Sequence, residues 1–350
     1  MTCSFMKNTI MQSLLLLLTG CIIFTCGCIQ HPEKTSSYEP NVPVFESLTR
    51  EISELTVCSF NIQFSGNFKK KDNETLAKIL KDYDIIVVQE IVAPPVSGTY
   101  PDGVSYNADP ESAQFLQQME NEGFSYLLSE EDTGTGDSIH LASTATEWWI
   151  AFYKPESVYN ALDLPQGFLS EDRSNNDLYE RVPYAFAFRT VDHHLDFVLI
   201  SVHLQPGDSG PDQVRRKVEL DAISDWIGRK NQTEKDFIIL GDMNIKNREE
   251  LLNCTPVNMI SLNDECYPTN TSPNSPKPYD HVMYYPDYTS EVNTDWDIVV
   301  VDLVEAVRPY WNSAVGPFPG DPYVHDQFRQ YYSDHHPVVF KMDIPEEDDD

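Results

Sequence analysis

The chain has 350 residues, of which 41% are hydrophobic and 18 are Tyr, which excludes a disordered polymer and suffices for one large α/β domain or two small ones. Lys and Arg number 24 against 56 Asp and Glu, a formal net charge of -32. That balance excludes a nonspecific nucleic-acid coat, which would be basic, but not an enzyme that meets phosphate through a metal ion and a few local arginines.

In chain order, Lys7 precedes an apolar run from Ile10 to Ile29, the pattern of a secretory leader. Cys21 and Cys28 each follow small residues, as in a lipoprotein processing box, and Cys28 fits better because Gln30, His31, Glu33 and Lys34 begin just after it. Residues 1–28 therefore read as a leader and 29–53, rich in Pro, Ser and Glu, as a flexible tether. An uncleaved anchor is the alternative, since roughly 20 apolar residues span a bilayer. Either way the rest of the chain is expected outside the cytoplasm or at the cell surface, with a lipidated cysteine as a membrane tether. No protein partner is expected, and the chain reads as a monomer.

Strand and helix patterns alternate from Leu55 onward. Leu55 to Ile62 and Ile85 to Gln89 read as strands, Glu74 to Leu80 and Glu111 to Glu122 as helices. Trp148 to Tyr153, Tyr184 to Phe188 and Phe197 to Val202 are further strands, with Asp192-His193-His194 as a hairpin turn. Asp212 to Gly228 reads as a helix whose apolar face is Val214, Val218, Ile223 and Ile227. Phe237 to Leu240, Val282 to Tyr285, Ile298 to Val301 and Val338 to Met342 complete the strands. Many strands with few helices favour packed mixed sheets in one domain, roughly 54–343, ahead of an acidic tail at 344–350. Ala93 to Asn107, Thr255 to Lys277 and Pro309 to Tyr332 read as long loops that wall or cover a site. Cys58 reads as a small core residue, while Cys254 and Cys266 could close a short disulfide loop in an oxidising compartment. Sequons begin at Asn73, Asn231 and Asn270.

Four segments end strand-like runs with polar residues: Ser59-Phe60-Asn61-Ile62, Val87-Val88-Gln89-Glu90, Leu240-Gly241-Asp242-Met243-Asn244 and Ser333-Asp334-His335-His336-Pro337. Buried strands do not carry such side chains unless these converge on something polar, and a divalent cation bearing a phosphate is the simplest common partner. Glu90 and Asp334 are hard oxygen ligands suited to Mg²⁺, with Ca²⁺ or Mn²⁺ as alternatives. Asp242 and Asn244, two apart on one turn, can orient a water and hold a phosphate oxygen. His203 and His335 can share acid and base roles near neutral pH. Each needs a carboxylate to fix its tautomer, and Glu147 and Asp280, both awkward beside apolar sequence, are candidates.

The segments resemble the endonuclease/exonuclease/phosphatase superfamily, and within it deoxyribonuclease I and bacterial membrane nucleases. The likeness runs from about 55 to 342 through Ser-Phe-Asn-Ile at 59–62, Val-Gln-Glu at 88–90, Val-His-Leu-Gln-Pro-Gly at 202–207, Gly-Asp-Met-Asn at 241–244, Tyr-Asp-His-Val at 279–282 and Ser-Asp-His-His-Pro-Val at 333–338. It implies a four-layer sandwich of two packed mixed β-sheets flanked by helices, with the site at one edge. It also implies that Glu90, with Asn61 and Asp334, holds the metal, that Asp242 and Asn244 orient water and phosphate, and that His203 pairs with Glu147 and His335 with Asp280. Arg181 matches a phosphate-contacting arginine. His281 stands where the pattern has Arg, and the segment after Glu90 lacks a basic residue. The activity implied is hydrolysis of DNA, the substrate and expected partner, by an activated water. A phospholipid or inositol-phosphate phosphodiesterase or phosphatase is the alternative, and a catalytically inactive surface-binding protein the third reading.

Overall fold

The computed structural model describes residues 53–134, 138–141 and 143–348. The leader, and the tether as far as residue 52, lie outside the described residues. Contacts join the described residues into one compact unit. The described part begins with β1 (Glu54–Ser65), α1 (Asn73–Leu80) and β2 (Ile85–Ile91), then a short ribbon of β3 (Gly98–Thr99) and β4 (Ser105–Tyr106). Helix α2 (Pro110–Asn121) leads to β5 (Ser125–Leu128) and β6 (Trp148–Tyr153), and the chain crosses to β7 (Val158–Asn160), β8 (Gly167–Phe168), β9 (Tyr184–Thr190) and β10 (Asp196–His203). Helix α3 (Gly210–Lys230), β11 (Phe237–Asp242), α4 (Arg248–Cys254), β12 (Ile260–Ser261) and β13 (Asp280–Tyr284) follow. The return runs through β14 (Val299–Val300), α5 (Leu303–Val307), α6 (His325–Tyr331) and β15 (Val338–Asp343).

One sheet has the order β14-β15-β1-β2-β6-β5 and the other β12-β13-β11-β10-β9-β7, with β8 paired to β9. Each is mixed: β1 runs parallel to β2 and β10 parallel to β11, and the other neighbours are antiparallel. Leu55, Val57, Ile85, Val87, Trp149, Phe197, Leu199, Ile238, Leu240 and Val282 pack between the sheets. Cys58, Phe60, Ile86 and Val88 point the other way, under α1, α2, α5 and α6. Val198, Ile200, Phe237 and Ile239 pack under α3 and α4. This is the four-layer sandwich expected, and it follows from strand alternation, since successive side chains leave a strand on opposite faces. Each large apolar side chain so buried contributes about 1.5–3 kcal/mol.

Local sequence starts the helices. Asp72 accepts the Thr75 N–H at 3.2 Å ahead of α1, Asp109 caps α2 before Pro110, and Ser209 and Asp212 form a reciprocal capping box on α3. The apolar face expected for α3 is half right. Ile223 and Ile227 are buried, but Val214 and Val218 are exposed, and Arg216 and Glu219 lie fully buried on the inner face. Periodicity placed the stripe by hydropathy alone, whereas the loops beneath the first turns of α3 present backbone polar groups that need charged partners.

The long segments are less irregular than the sequence suggests: they hold the β3–β4 ribbon, β12 and α6. Asp192-His193-His194 does turn between β9 and β10, with His193 at φ 64. The expected Cys254–Cys266 bridge is absent, both thiols being free. Cys254 is buried at the end of α4, its Sγ donating to the Leu251 carbonyl, and Cys266 sits in a separate turn at φ 58. The sequon at Asn73 is sealed: the side chain is 1% exposed and donates to the Glu111 carbonyl and to Gln114. The tail returns to the fold as far as Asp348, which accepts the Asp196 N–H at 2.9 Å.

Candidate active site

The polar residues at the strand ends share a parity. In β1 the residues facing the other sheet are Leu55, Val57, Ser59 and then Asn61; in β10, Phe197, Leu199, Ser201 and then His203. In β11 they are Ile238, Leu240 and then Asp242, and in β13 Tyr284, Val282 and then Asp280. Glu147 continues the inner row of Trp149 and Ala151 just before β6. The inter-sheet layer is thus apolar along most of its length and charged at one edge. Register completes the alignment, since His203 lies opposite Asp242 across one ladder and Asp242 opposite Asp280 across the next. Gln89 bridges the sheets, with Ser59 and Ser201 at 3.4 and 3.3 Å.

Glu90 breaks the alternation by a register shift in β2 and a left-handed backbone at φ 63. Gln63 and Phe64, at φ 53 and 52, are left-handed beside it, and the Phe64 N–H donates to Glu90 Oε2 at 3.0 Å. Such non-glycine conformations cost of order 1–3 kcal/mol each and cluster at functional sites. Gly241 is required by close approach: a Cβ there would stand 2.1 Å from the Val202 carbonyl oxygen.

The two histidines are arranged alike. His203 Nδ1 meets Glu147 Oε1 at 3.0 Å and His335 Nδ1 meets Asp280 Oδ2 at 2.8 Å. Both Nε2 atoms lie 3.5 Å from a single atom, Asp242 Oδ2. That oxygen also accepts from Asn61 Nδ2 at 3.1 Å, while Asp242 Oδ1 accepts the Asn244 N–H at 2.9 Å. The carboxylates fix each ring with Nδ1–H outward and Nε2 toward the centre. Burial opposes protonation of His335, but Asp280 and Asp242 outweigh it and hold its pKa well above the ordinary value. Burial and Arg181 likewise oppose protonation of His203, and Glu147 and Asp242 raise it on balance. Burial pushes Glu147 up, yet His203 and Arg181 bring it below the usual carboxylate range. Glu90 is pushed up, by burial first, with His203 pulling the other way and Asp334 adding to the rise.

Arg181 Nε forms an ion pair with Glu147 Oε1 at 3.1 Å, and its Nη1 is buried without a hydrogen-bond partner. Asp334 Oδ1 and Asp280 Oδ1 are also buried and unpartnered. Glu90, His203 and Asp242 offer ligand atoms within 4.8 Å of one another. A divalent cation fits this edge, because it would satisfy an orphaned carboxylate oxygen within a concentration of buried acids. Asn61 Oδ1 accepts the Gln63 N–H, and its amide donates to Glu90 and Asp242, strapping the two carboxylates together. The Asn244 amide donates to the Leu204 carbonyl at 3.1 Å.

Every residue singled out in the sequence therefore lies at this edge, and several unflagged ones support it. Ser333 Oγ donates to the Asn61 carbonyl at 2.6 Å and accepts the His335 N–H at 3.0 Å, fixing the turn that carries Asp334. The Tyr279 ring lies 5.8 Å from His335. Lys71 is buried with its ammonium on the Tyr332 carbonyl, and burial pulls its pKa down to about 7 against the attraction of Glu111, Asp334 and Glu90. Beneath α3, Glu219 accepts the N–H of Glu180 at 2.7 Å and of Gln205 at 2.9 Å. Arg216 donates to the Gln205 carbonyl and to Glu250, which accepts the Lys246 N–H. These groups fasten the loops that carry Arg181, His203 and Asn244. Nothing in the residue types separates them from an exposed helical charge pattern.

The sequence profile of the Endonuclease/Exonuclease/phosphatase family matches residues 58–335. The chain belongs to this family. Among solved structures, an endonuclease/exonuclease/phosphatase family protein from Bacteroides thetaiotaomicron superposes with a TM-score of 0.52 at 14% identity, over 84% of this chain and 98% of that one. The catalytic domain of human Nocturnin, solved with a bound sulfate anion, gives 0.51 at 14% identity over 84% and 94%. A functionally unknown conserved protein from Enterococcus faecalis gives 0.50 at 13% identity over 82% and 98%. At these identities the likeness is one of fold. No match is found among the curated proteins. The fold and the family are those of phosphoesterases.

Proposed function

We propose that the protein is an exported, divalent-metal-dependent phosphodiesterase that hydrolyses DNA. The observation that carries the hydrolytic reading is the pair of buried imidazoles, each backed by its own carboxylate and both facing Asp242 Oδ2 at 3.5 Å. When bound, a divalent cation supplies positive charge to the phosphoryl oxygens, and Glu90 and Asp334, with Asp242 beside them, are the donors that would hold it. Asp242 orients a water for in-line attack, and His203 takes its proton. The unpartnered Nη1 of Arg181 binds a non-bridging oxygen, and Asn244 steadies the phosphate from the other loop. His335, whose carboxylate neighbours keep it protonated to higher pH, gives its proton to the departing 3′-oxygen. Environments that raise two imidazoles by different amounts sort them into base and acid. Asn61 acts through the carboxylates it aligns.

DNA is favoured by the resemblance to deoxyribonuclease I across the six segments, of which the one at 279–282 departs at His281. The aromatic pair that a membrane-inserting phospholipase could use, Trp148 and Trp149, is buried at 2% and 0% exposure. Export rests on the leader pattern in residues 1–28. The test is nicking of supercoiled plasmid by the purified protein with Mg²⁺ plus Ca²⁺, with EDTA, and with His335→Ala. Metal-dependent nicking lost in the variant supports the reading. Intact plasmid with cleavage of a phospholipid or inositol-phosphate ester would replace DNA as the substrate, and failure on every phosphodiester would end the catalytic reading.

A further inference from the structure

We infer that the loop after β1, together with α6, forms a track for a single-stranded polynucleotide leading away from the metal carboxylates. This rests on the nuclease reading and specifies its substrate further. The charge distribution is the first observation. In a chain of net charge -32, Lys69 and Lys70 stand exposed next to each other beside the site, ahead of the buried Lys71. The second is geometric continuity. Phe64, half-buried, donates its N–H to Glu90 at 3.0 Å, and its ring lies 5.6 Å from that of Phe68. Phe68 in turn lies near Lys71 Nζ, 5.3 Å from its ring centre, and near the Arg329 guanidinium at 5.5 Å. Lys71 donates to the carbonyl of Tyr332, two residues before Asp334. The strip thus touches the segments that bear both Glu90 and Asp334.

Its components suit a phosphate chain with unstacked bases. Lys70 is exposed and meets the Gln330 side-chain amide at 3.2 Å. Lys69 is 51% exposed although paired with Asp109, and the Arg329 partner Asp326 is 79% exposed. Surface pairs of this kind are worth about 0–1 kcal/mol and yield readily to a phosphate. The half-buried Phe64 ring lies beside that of Phe68, on the side of Lys69 and Lys70, and stacking of a base on an aromatic side chain tolerates any sequence. A duplex keeps its bases stacked inward and could not use that face, and a small inositol phosphate or a lipid headgroup would end before reaching Lys69 and Lys70.

The test uses the full chain and substrates of two lengths, a single-stranded 20-mer and a dinucleotide, over a range of salt. For Lys69→Glu/Lys70→Glu the KM for the 20-mer should rise about 10-fold or more, with a much smaller change for the dinucleotide, and the single-strand salt slope should flatten by about 1.4 for two lost phosphate contacts. Phe64→Leu should raise the 20-mer KM by about 10-fold while leaving the salt slope in place. Lys70→Glu alone, at an exposed position, should flatten the slope by about 0.7 and serves if the double variant is poorly folded. Equal losses on both lengths, or an unchanged 20-mer KM and slope, overturn the track while the nuclease reading stands. Wild-type protein that cleaves no oligonucleotide overturns both.

Discussion

Two clusters of buried charge touch neighbouring chain positions, Glu180 beside Arg181, Gln205 near His203 and Lys246 near Asn244, and are built in opposite ways. At the strand ends, Asp334 Oδ1, Asp280 Oδ1 and Arg181 Nη1 have no hydrogen-bond partner. Under α3, Glu219 and Glu250 have both carboxylate oxygens occupied, by the N–H groups of Glu180 and Gln205 and by Arg216 and the Lys246 N–H. The first cluster keeps hydrogen-bonding capacity for something that is not protein. The second spends every carboxylate oxygen of Glu219 and Glu250 on backbone N–H groups or Arg216, whose Nη2 keeps only the Glu250 ion pair, and holds loops. A buried carboxylate with a spare oxygen is open to a ligand; one with both oxygens taken is committed to the fold.

The contrast predicts that front substitutions cost activity and back substitutions cost stability. The largest effect is expected for His335→Ala, a loss of about 10²–10⁴-fold in kcat with little change in the unfolding midpoint. A variant destabilised as much as one in the α3 cluster would break the comparison. Next, Arg216→Met leaves Glu250 buried without its cation and should cost about 3–5 kcal/mol, read as a lower urea midpoint, with a much smaller loss of activity per folded molecule.

A pH experiment sharpens the front. His335 is raised by Asp280 and Asp242 against burial and acts as the acid, so activity falls as pH rises through its pKa. Asp280→Asn removes the largest raising influence and should move that alkaline fall to lower pH; an unmoved profile would assign the limb to another group. The smallest effect concerns Glu219, whose carboxyl burial raises to about 7 against the backbone N–H bonds of Gln205 and Glu180. The folded protein therefore keeps this proton to higher pH than the unfolded chain, and the group's contribution to stability is present below about 4.5 and lost as pH rises toward 7. Wild type should lose more stability than Glu219→Gln between pH 5 and pH 8. Identical losses would show that Glu219 is ionised throughout.

The candidate site was legible because its residues stand where apolar alternation stops, and each reads as an anomaly in its own segment. The α3 cluster was not legible, because Arg216 and Glu219 in a helix of mixed charge look like any solvated turn. Val214 and Val218 were even read as its buried face, yet they are exposed. Burial of a helical residue depends on what packs against it, and here that is a set of polar loop groups from distant sequence.

The amino-acid order alone determined the strand parity that sends Asn61, His203, Asp242 and Asp280 to one end of the inter-sheet layer, since a period of two is a property of the extended backbone. Tertiary structure alone decided which carboxylate meets which imidazole, how Glu90 is turned back by its left-handed backbone, and that Cys254 and Cys266 are unpaired. The imidazole pairings join residues 56 and 55 apart in the chain through the sheet register, about which local propensity carries no information.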